Sequence, residues 1–212
     1  MASSSTVVLF RLIEDGDWQQ INDIFLSNPK GAKTFQKMAA SVASSTSFNG
    51  MTILHAIARY DPPPLIVKRI VQLCPQDTMS TDCLNRTPLH VAAGSGAHYT
   101  VVNVLADAYP SACNVKDHDG RTPLHLACDT SCSLFEDYKP AREARVSHKT
   151  IDALLYASPD AATAEDEDGM CAIEYALISD AKIETVRLIQ KASQTVLREL
   201  AHEKETKAEK GT

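Results

Sequence analysis

Apolar residues recur in this chain at two fixed distances, eight and five residues, before a proline. The prolines are Pro75, Pro110 and Pro159, and the apolar residues before them are Val67 and Ile70, Val102 and Leu105, and Ile151 and Leu154. Apolar positions three residues apart share one face of a helix, so each set predicts a helix that ends near its proline. The 35-residue period between Pro75 and Pro110 indicates stacked units rather than one closed core.

A second marker keeps the same register. The phrase Arg-Thr-Pro-Leu-His occurs at residues 86–90 and 121–125, again 35 residues apart. Weaker copies place Leu54 35 residues before Leu89, and Ile173 49 residues after Leu124. Because the phrase and the prolines keep one offset, the chain is predicted to be built from repeated units.

The phrase has a local physical meaning. Its threonine suits a helix N-cap, where the hydroxyl bonds free backbone N–H groups, and its proline suits the first helical position. Its histidine stands at one repeat position three times, as His55, His90 and His125. These imidazoles could be catalytic, but recurrence at a repeat position favours structural hydrogen bonding.

The extended phrase Thr-Pro-Leu-His-x-Ala, at residues 87–92 and 122–127, resembles the signature of the ankyrin repeat. Residues 52–57 lack its proline, and residues 171–176 lack its threonine, proline and histidine. The resemblance covers residues 48–192. It implies an all-α, ankyrin-type solenoid of about five helix–turn–helix units with short hairpin-like loops.

We predict one ankyrin-repeat domain over residues 1–212. Its parts are an N-terminal capping unit (6–29), a loop (30–48), repeats (49–84, 85–119, 120–168 and 169–192), and a C-terminal helix with a frayed tail (193–212). Ser, Thr, Lys and Ala dominate 30–48, which predicts a surface loop or one short helix around 35–42. That segment could also be regulatory. In the last part, Leu197, Leu200 and Ala201 are expected to face inward.

The unit 120–168 carries fourteen extra residues within the insertion 129–149. The distance from His125 to Ile151 is 26 residues, where that from His90 to Val102 is 12. We expect this insertion to project from the edge opposite the hairpin loops and to be functional or disordered. Its aromatic and basic side chains could enter a partner or fold back on the insertion itself; they are Phe135, Tyr138, Arg142 and Arg145.

Composition and charge restrict the kinds of partner and compartment that we expect for this chain. The 212 residues carry a formal net charge of −6, which argues against nucleic acid or an anionic membrane as the main partner. No apolar run approaches the roughly 18 residues that span a bilayer, and the N-terminus lacks a signal-peptide pattern. We therefore expect a cytoplasmic, monomeric protein, with the nucleus as the alternative compartment.

The polar and sulfur-bearing residues predict no cofactor and no metal. Cys74, Cys113 and Cys128 fall at packing positions and are expected to be free buried thiols. Cys128 and Cys132 near His148 could suggest zinc, but no second cysteine pair at finger spacing accompanies them. The acidic run 165–168 is best explained as a solvated hairpin tip, and no catalytic motif occurs.

The resemblance implies a non-enzymatic protein-interaction module, a scaffold or adaptor. By repeat register, the candidate contacts at the hairpin tips are Leu84, Arg86, His118, Arg121, Asp168 and Met170. On the concave helix face they are Arg59, Tyr60, Asp129 and Thr130. The alternative is a structural fragment of a larger ankyrin protein, although the charged C-terminal end favours a complete chain. An enzyme on this scaffold has no residue to support it.

Overall fold

The computed structural model describes residues 4–131, 134 and 146–210 of the chain. Its α-helices are α1 (Ser4–Glu14), α2 (Trp18–Ile21), α3 (Pro29–Ala43), α4 (Ile53–Ala58), α5 (Pro64–Leu73), α6 (Pro88–Gly94), α7 (Tyr99–Ala108), α8 (Pro123–Cys128), α9 (His148–Ala157), α10 (Ala172–Ile178) and α11 (Ile183–Lys210). In this part of the chain, β-structure is confined to one isolated bridge between Glu165 and Cys171. The expected all-α architecture is confirmed.

The helices form two layers. The first helices of successive units, α4, α6, α8 and α10, pack on one another in chain order, and the second helices, α5, α7, α9 and α11, do the same. Leu54, Leu89 and Leu124 occupy one repeat position in the first layer and are all buried. The core is therefore a continuous column along the stack, as a solenoid requires.

The second helices end at the prolines that the sequence marks. After α5, α7 and α9, short 3₁₀ turns begin at the proline and span Pro75–Thr78, Pro110–Asn114 and Pro159–Thr163. A proline lacks the N–H that would continue the helix, so each helix must stop there.

The last unit departs from the prediction of a separate C-terminal helix and a frayed tail from residue 193. By register, Gln194 takes the place of the helix-ending proline, so α11 continues unbroken to Lys210. Leu197, Leu200 and Ala201 are exposed rather than inward, and Val196 is the buried residue. The Ser193 hydroxyl donates to the Ala162 carbonyl at 3.0 Å, which holds this helix against the preceding unit.

The segment 30–48 was expected to be a loop, and this is wrong. Residues 29–43 form α3, whose N-cap Asn28 accepts from the Gly31 N–H at 2.7 Å. The helix buries Phe35, Met38 and Val42, spaced at three and four residues along one face. Composition suggested a loop because serine and lysine cover the exposed face. The alternative of a helix around 35–42 is closer but too short.

The N-terminal unit, expected at 6–29, contains α1, a turn with Gly16 at φ 67°, and α2, which runs on as a π-helix over Asn22–Leu26. The Asp17 side chain caps α2 by accepting from the Gln20 N–H at 3.0 Å. Trp18 packs against the core from its edge. No helix in the described part of the chain is long and apolar enough to cross a bilayer.

Candidate partner-binding surface

The repeated histidines join each unit to the next. Their Nε2 atoms lie 2.9, 3.2 and 3.1 Å from carbonyl oxygens 31, 31 and 45 residues ahead; the pairs are His55 with Arg86, His90 with Arg121, and His125 with Met170. The Nδ1 atom of each ring accepts a backbone N–H at 3.1 Å, from Thr52, Thr87 and Thr122 respectively. Because Nδ1 is the acceptor, Nε2 carries the proton and donates to the carbonyl.

Burial makes these imidazoles unsuitable as acid–base catalysts near neutral pH. Desolvation lowers the pKa of His55 and of His90 to about 4, and it also lowers the pKa of His125. The neutral ring is therefore the stable form inside the stack. The structural interpretation of these histidines agrees with this geometry.

Each hairpin tip is closed by an aspartate. The Oδ1 atoms of Asp82, Asp117 and Asp166 accept two backbone N–H groups, two and four residues later, at 2.8–3.0 Å. The backbone N–H of each aspartate also donates to the carbonyl four residues later. These Asx-type turns form the loops expected near 80–87, 115–122 and 164–171.

The tips also bond to one another along the edge of the stack. Backbone N–H groups donate to the preceding tip at 2.7, 2.9 and 3.1 Å; the pairs are Cys83 to Asn49, His118 to Leu84, and Glu167 to Asp119. Gly120, at φ 76°, permits the closest approach, since a Cβ there would lie 2.8 Å from the Glu167 nitrogen. The tips therefore form one continuous, fixed edge.

Arg86 and Arg121, both candidates from the sequence, hold the tips from within by ion pairs to aspartates. The Arg86 side chain is 8% exposed, and its Nη2 lies 2.7 Å from Asp82 Oδ2. Arg121 pairs with Asp117 and Asp119 and reaches Asp129 at 3.9 Å. Met170 is half-buried, and its N–H donates to Asp166.

The remaining tip candidates face solvent. Leu84, His118 and Asp168 are all exposed on the edge. Asp119 and Glu167 are exposed beside them and were not among the sequence candidates. Their position between the turn aspartate and the turn glycine is the signal that would have found them.

The candidates on the concave helix face make contacts with other residues of the chain. The Arg59 guanidinium lies 5.3 Å from the centre of the Tyr60 ring, and both residues are half-buried. Asp129 faces Arg121, and the Thr130 N–H donates to Ser179 Oγ at 3.0 Å. Phe135, Tyr138, Arg142 and Arg145 lie outside the described residues.

Leu134, one of the described residues of the insertion, was not among the sequence candidates. Its carbonyl oxygen accepts from Arg86 Nη1 at 3.0 Å, and its side chain lies over Gly94. Residue 94 is in α6 and residue 134 follows α8, so no local pattern joins them. At this residue the insertion packs against the stack rather than projecting from its edge.

Sulfur and acidic groups build no metal site in the parts of the chain that are described. No cluster of three or more His, Cys, Asp or Glu side chains there could hold an ion. Cys74, Cys113 and Cys128 are free and buried, and burial raises their pKa values to about 11, 11 and 12. These cysteines are therefore protonated packing residues.

Comparison with known proteins agrees with this geometry. Residues 54–136 match the family model described as Ankyrin repeats (3 copies). The chain contains an ankyrin-repeat region. Ankyrin repeats are generally protein–protein interaction modules and typically carry no catalytic site.

Distant relatives of this ankyrin region occur in much longer proteins. The chain is 35% identical over 88 residues to neurogenic locus notch homolog protein 1 of Danio rerio. It is 31% identical over 115 residues to the proteins of that name in Mus musculus and Homo sapiens. These matches cover 42% and 54% of the chain but only 4% of each relative.

Proposed function

We propose that the chain is a non-enzymatic scaffold or adaptor that binds partner proteins through its tip edge, its concave helix face and the insertion 129–149. It acts in the cytoplasm, with the nucleus as the alternative compartment. The observation that carries the proposal is the tip edge, where exposed side chains stand on turns that are bonded to one another. A surface held in place before binding loses little conformational freedom on association.

The edge has a definite chemistry. Leu84 supplies an exposed apolar group, and Asp119, Glu167 and Asp168 make the following tips acidic. A partner with an apolar side chain beside basic groups is complementary to this pattern. Arg86 and Arg121 contribute by shaping the turns, while Arg59 and Tyr60 extend the surface onto the concave face.

The test compares three full-length chains by quantitative affinity capture. The edge variant carries Leu84→Ser, His118→Ala and Asp168→Ala. The control variant carries Tyr156→Ser, at a side chain that is 91% exposed on α9 and outside the tip edge. We expect the wild type and the control to capture the same partners, and the edge variant to lose them at an unchanged melting temperature. Equal capture by all three chains would reject the edge as the binding surface.

A second candidate function is that the chain forms part of a longer ankyrin array. One observation favours it. Leu177 is 60% exposed, whereas Ala58, Ala93 and Cys128 at the equivalent position are buried. Ile178 and Ile183 are exposed in the same last unit. An apolar face of this kind could receive a further stacked unit. An antibody against this chain would then detect an endogenous protein well above 23.1 kDa, whereas a band at 23.1 kDa would oppose this candidate.

A further inference from the structure

Arg69 on α5 stands at a repeat position that carries an apolar residue in the following units. The position lies six residues before the helix-ending proline, and the next two units place Val104 and Ala153 there. By register, the last unit has Leu188. These three side chains belong to the hydrophobic core or pack against it, whereas Arg69 is a half-buried cation. Arginine is seldom withdrawn from water without a polar partner, so the surroundings of Arg69 indicate its role.

The guanidinium is held by an amide of the N-terminal unit. Arg69 Nη1 donates to Asn22 Oδ1, across 47 residues of the chain. Asn22 begins the π-helix Asn22–Leu26, and the Ser27 N–H closes its wide turn by donating to the Asn22 carbonyl at 2.8 Å. The Asn22 amide nitrogen donates to Asp23 Oδ1 at 3.1 Å, so the amide oxygen is directed at Arg69. Wide helical turns of this kind recur at functional sites.

No described carboxylate forms an ion pair with Arg69. Its hydrogen-bond acceptor is the uncharged oxygen of Asn22. Arg86 and Arg121 differ, since each pairs with an aspartate, at N–O distances of 2.7 and 3.6 Å. Asp23, the acid that bonds to Asn22, accepts from side-chain amides instead. The positive charge of Arg69 is therefore available to an anion from outside the chain.

Arg69 lines a cavity of about 300 Å³ between the N-terminal unit and the unit 49–84. We call it the arginine cavity, and its lining residues are Leu26, Ser27, Arg69, Gln72 and Leu73. The two leucines are half-buried and supply aliphatic walls, while Ser27 and Gln72 are exposed, so the cavity opens to solvent. The Leu73 carbonyl accepts from Gln36 Nε2 at 2.9 Å, which holds that wall against α3. One cation, two apolar walls and no acid suit a carboxylate on an aliphatic stem.

We propose that the arginine cavity binds the carboxylate of a glutamate side chain from a partner protein, with Arg69 as the pairing cation. Asn22 engages Nη1, so the edge formed by Nε and Nη2 presents the planar fork that a carboxylate meets with two parallel hydrogen bonds. The methylene groups of glutamate match Leu26 and Leu73. A phosphate is typically recognised by several cations, and the cavity has one. This inference rests on the proposed interaction function and adds to it a contact on the layer of second helices.

The test is an NMR titration of the full-length chain with blocked glutamate, N-acetyl-glutamate methylamide. The signals followed are the Arg69 Nε–H and the backbone amides of Ser27 and Leu73. We expect a saturable shift in the millimolar range, as befits a single paired contact. The uncharged blocked glutamine should cause no saturable shift, and inorganic phosphate should bind more weakly than blocked glutamate. Absence of saturation by blocked glutamate, or tighter binding of phosphate, would overturn the proposal.

Variants of the lining locate the binding. Gln72→Glu places a carboxylate of the chain itself in the cavity and should abolish binding of blocked glutamate. Gln76→Glu is the matched control, because it makes the same change of charge at an exposed residue outside the lining, and it should bind as the wild type does. Arg69→Lys keeps the charge without the planar fork, so the affinity should fall about tenfold. Melting temperatures show whether each variant is folded, and the glutamine pair decides the outcome even where Arg69→Lys alters the fold. Equal binding by Gln72→Glu and Gln76→Glu would reject the cavity as the site.

Two further measurements separate this inference from the proposed function. The edge variant, with Leu84→Ser, His118→Ala and Asp168→Ala, leaves the cavity intact and should bind blocked glutamate as the wild type does. In affinity capture, excess blocked glutamate should release a partner that blocked glutamine leaves bound. A positive titration with no such release would assign the cavity to a free carboxylic acid and overturn the partner assignment. Failure of the titration would leave edge-dependent capture standing, and failure of edge-dependent capture would leave the titration standing.

Discussion

His90 Nε2 lies 3.2 Å from the carbonyl oxygen of Arg121, a residue of the next unit. Its other ring nitrogen accepts from the backbone N–H of its own N-cap, Thr87. One side chain therefore satisfies the start of one helix and the tip of the following repeat. Repeats that share such a bond cannot shift relative to one another without breaking it.

His90→Ala should destabilise the chain by about 3 kcal/mol, because it leaves a buried N–H and a carbonyl without their partner. The measurement is the free energy of unfolding in urea, followed by circular dichroism. His118→Ala is the matched control, since His118 is exposed on the tip edge, and its cost should stay within about 0.5 kcal/mol. Equal costs for the two variants would contradict the bridging role of His90.

Stability should fall as the pH is lowered from 7 towards 4. The pKa of His55 and of His90 is about 4 in the folded chain against an ordinary 6.5, so the unfolded chain binds more protons between these values. The contribution of each ring is complete above pH 6.5 and is lost as the pH falls to about 4. A shift of this size corresponds to about 3 kcal/mol per ring. Urea unfolding at pH 7 and pH 4.5 measures it.

The titration of Asp77 has the opposite effect on the pH dependence of stability, and a variant of Asp77 provides the control. Burial raises its pKa from 3.8 to about 6, so its stabilising effect is present at low pH and disappears as the pH rises through 6. Asp77→Asn removes this opposing titration. The variant should therefore lose stability more steeply than the wild type between pH 7 and pH 4.5. An unchanged slope would show that Asp77 titrates normally.

Leu89→Ala and Leu124→Ala should each cost about 2–5 kcal/mol, as truncations of buried leucines do. Both side chains are buried between successive first helices of the stack. Leu84→Ala provides the comparison, because Leu84 is exposed at a tip and its truncation should cost about 0.5 kcal/mol. Thermal unfolding of the three variants under one condition tests the ranking.

Gln194→Pro should interrupt α11. A proline in a helix interior removes one backbone hydrogen bond and clashes with the preceding turn, at a cost of about 3 kcal/mol or more. We expect lower helix content by circular dichroism and faster proteolysis after residue 194, while the Thr-Pro-Leu-His units stay folded. Gln190→Ala is the control, because Gln190 is exposed on the same helix, and it should leave helix content and stability unchanged. Unchanged helicity in Gln194→Pro would mean that α11 already ends near Gln194.

Local signals predicted the repeat scaffold well. Thr87, Pro88 and His90 lie within one helical turn. Helix capping is a contact between near neighbours in sequence, so the phrase predicted the capped helix start that the structure shows. The helix-ending prolines acted in the same local way. The prediction of a loop over 30–48 was wrong because polar and small residues outnumber the apolar ones there. The helical spacing of Phe35, Met38 and Val42 was the better signal.

The sequence by itself determined the unit, its period and the structural role of the repeated histidines, because each depends on contacts within a few residues or on exact repetition. The tertiary structure alone decided which candidate side chains are available. Arg86 and His118 both belong to hairpin tips, yet the first is buried against Asp82 and the second is exposed. It also brought Leu134 to Gly94, 40 residues away in the chain. Packing between units, rather than any local pattern, determines such a contact.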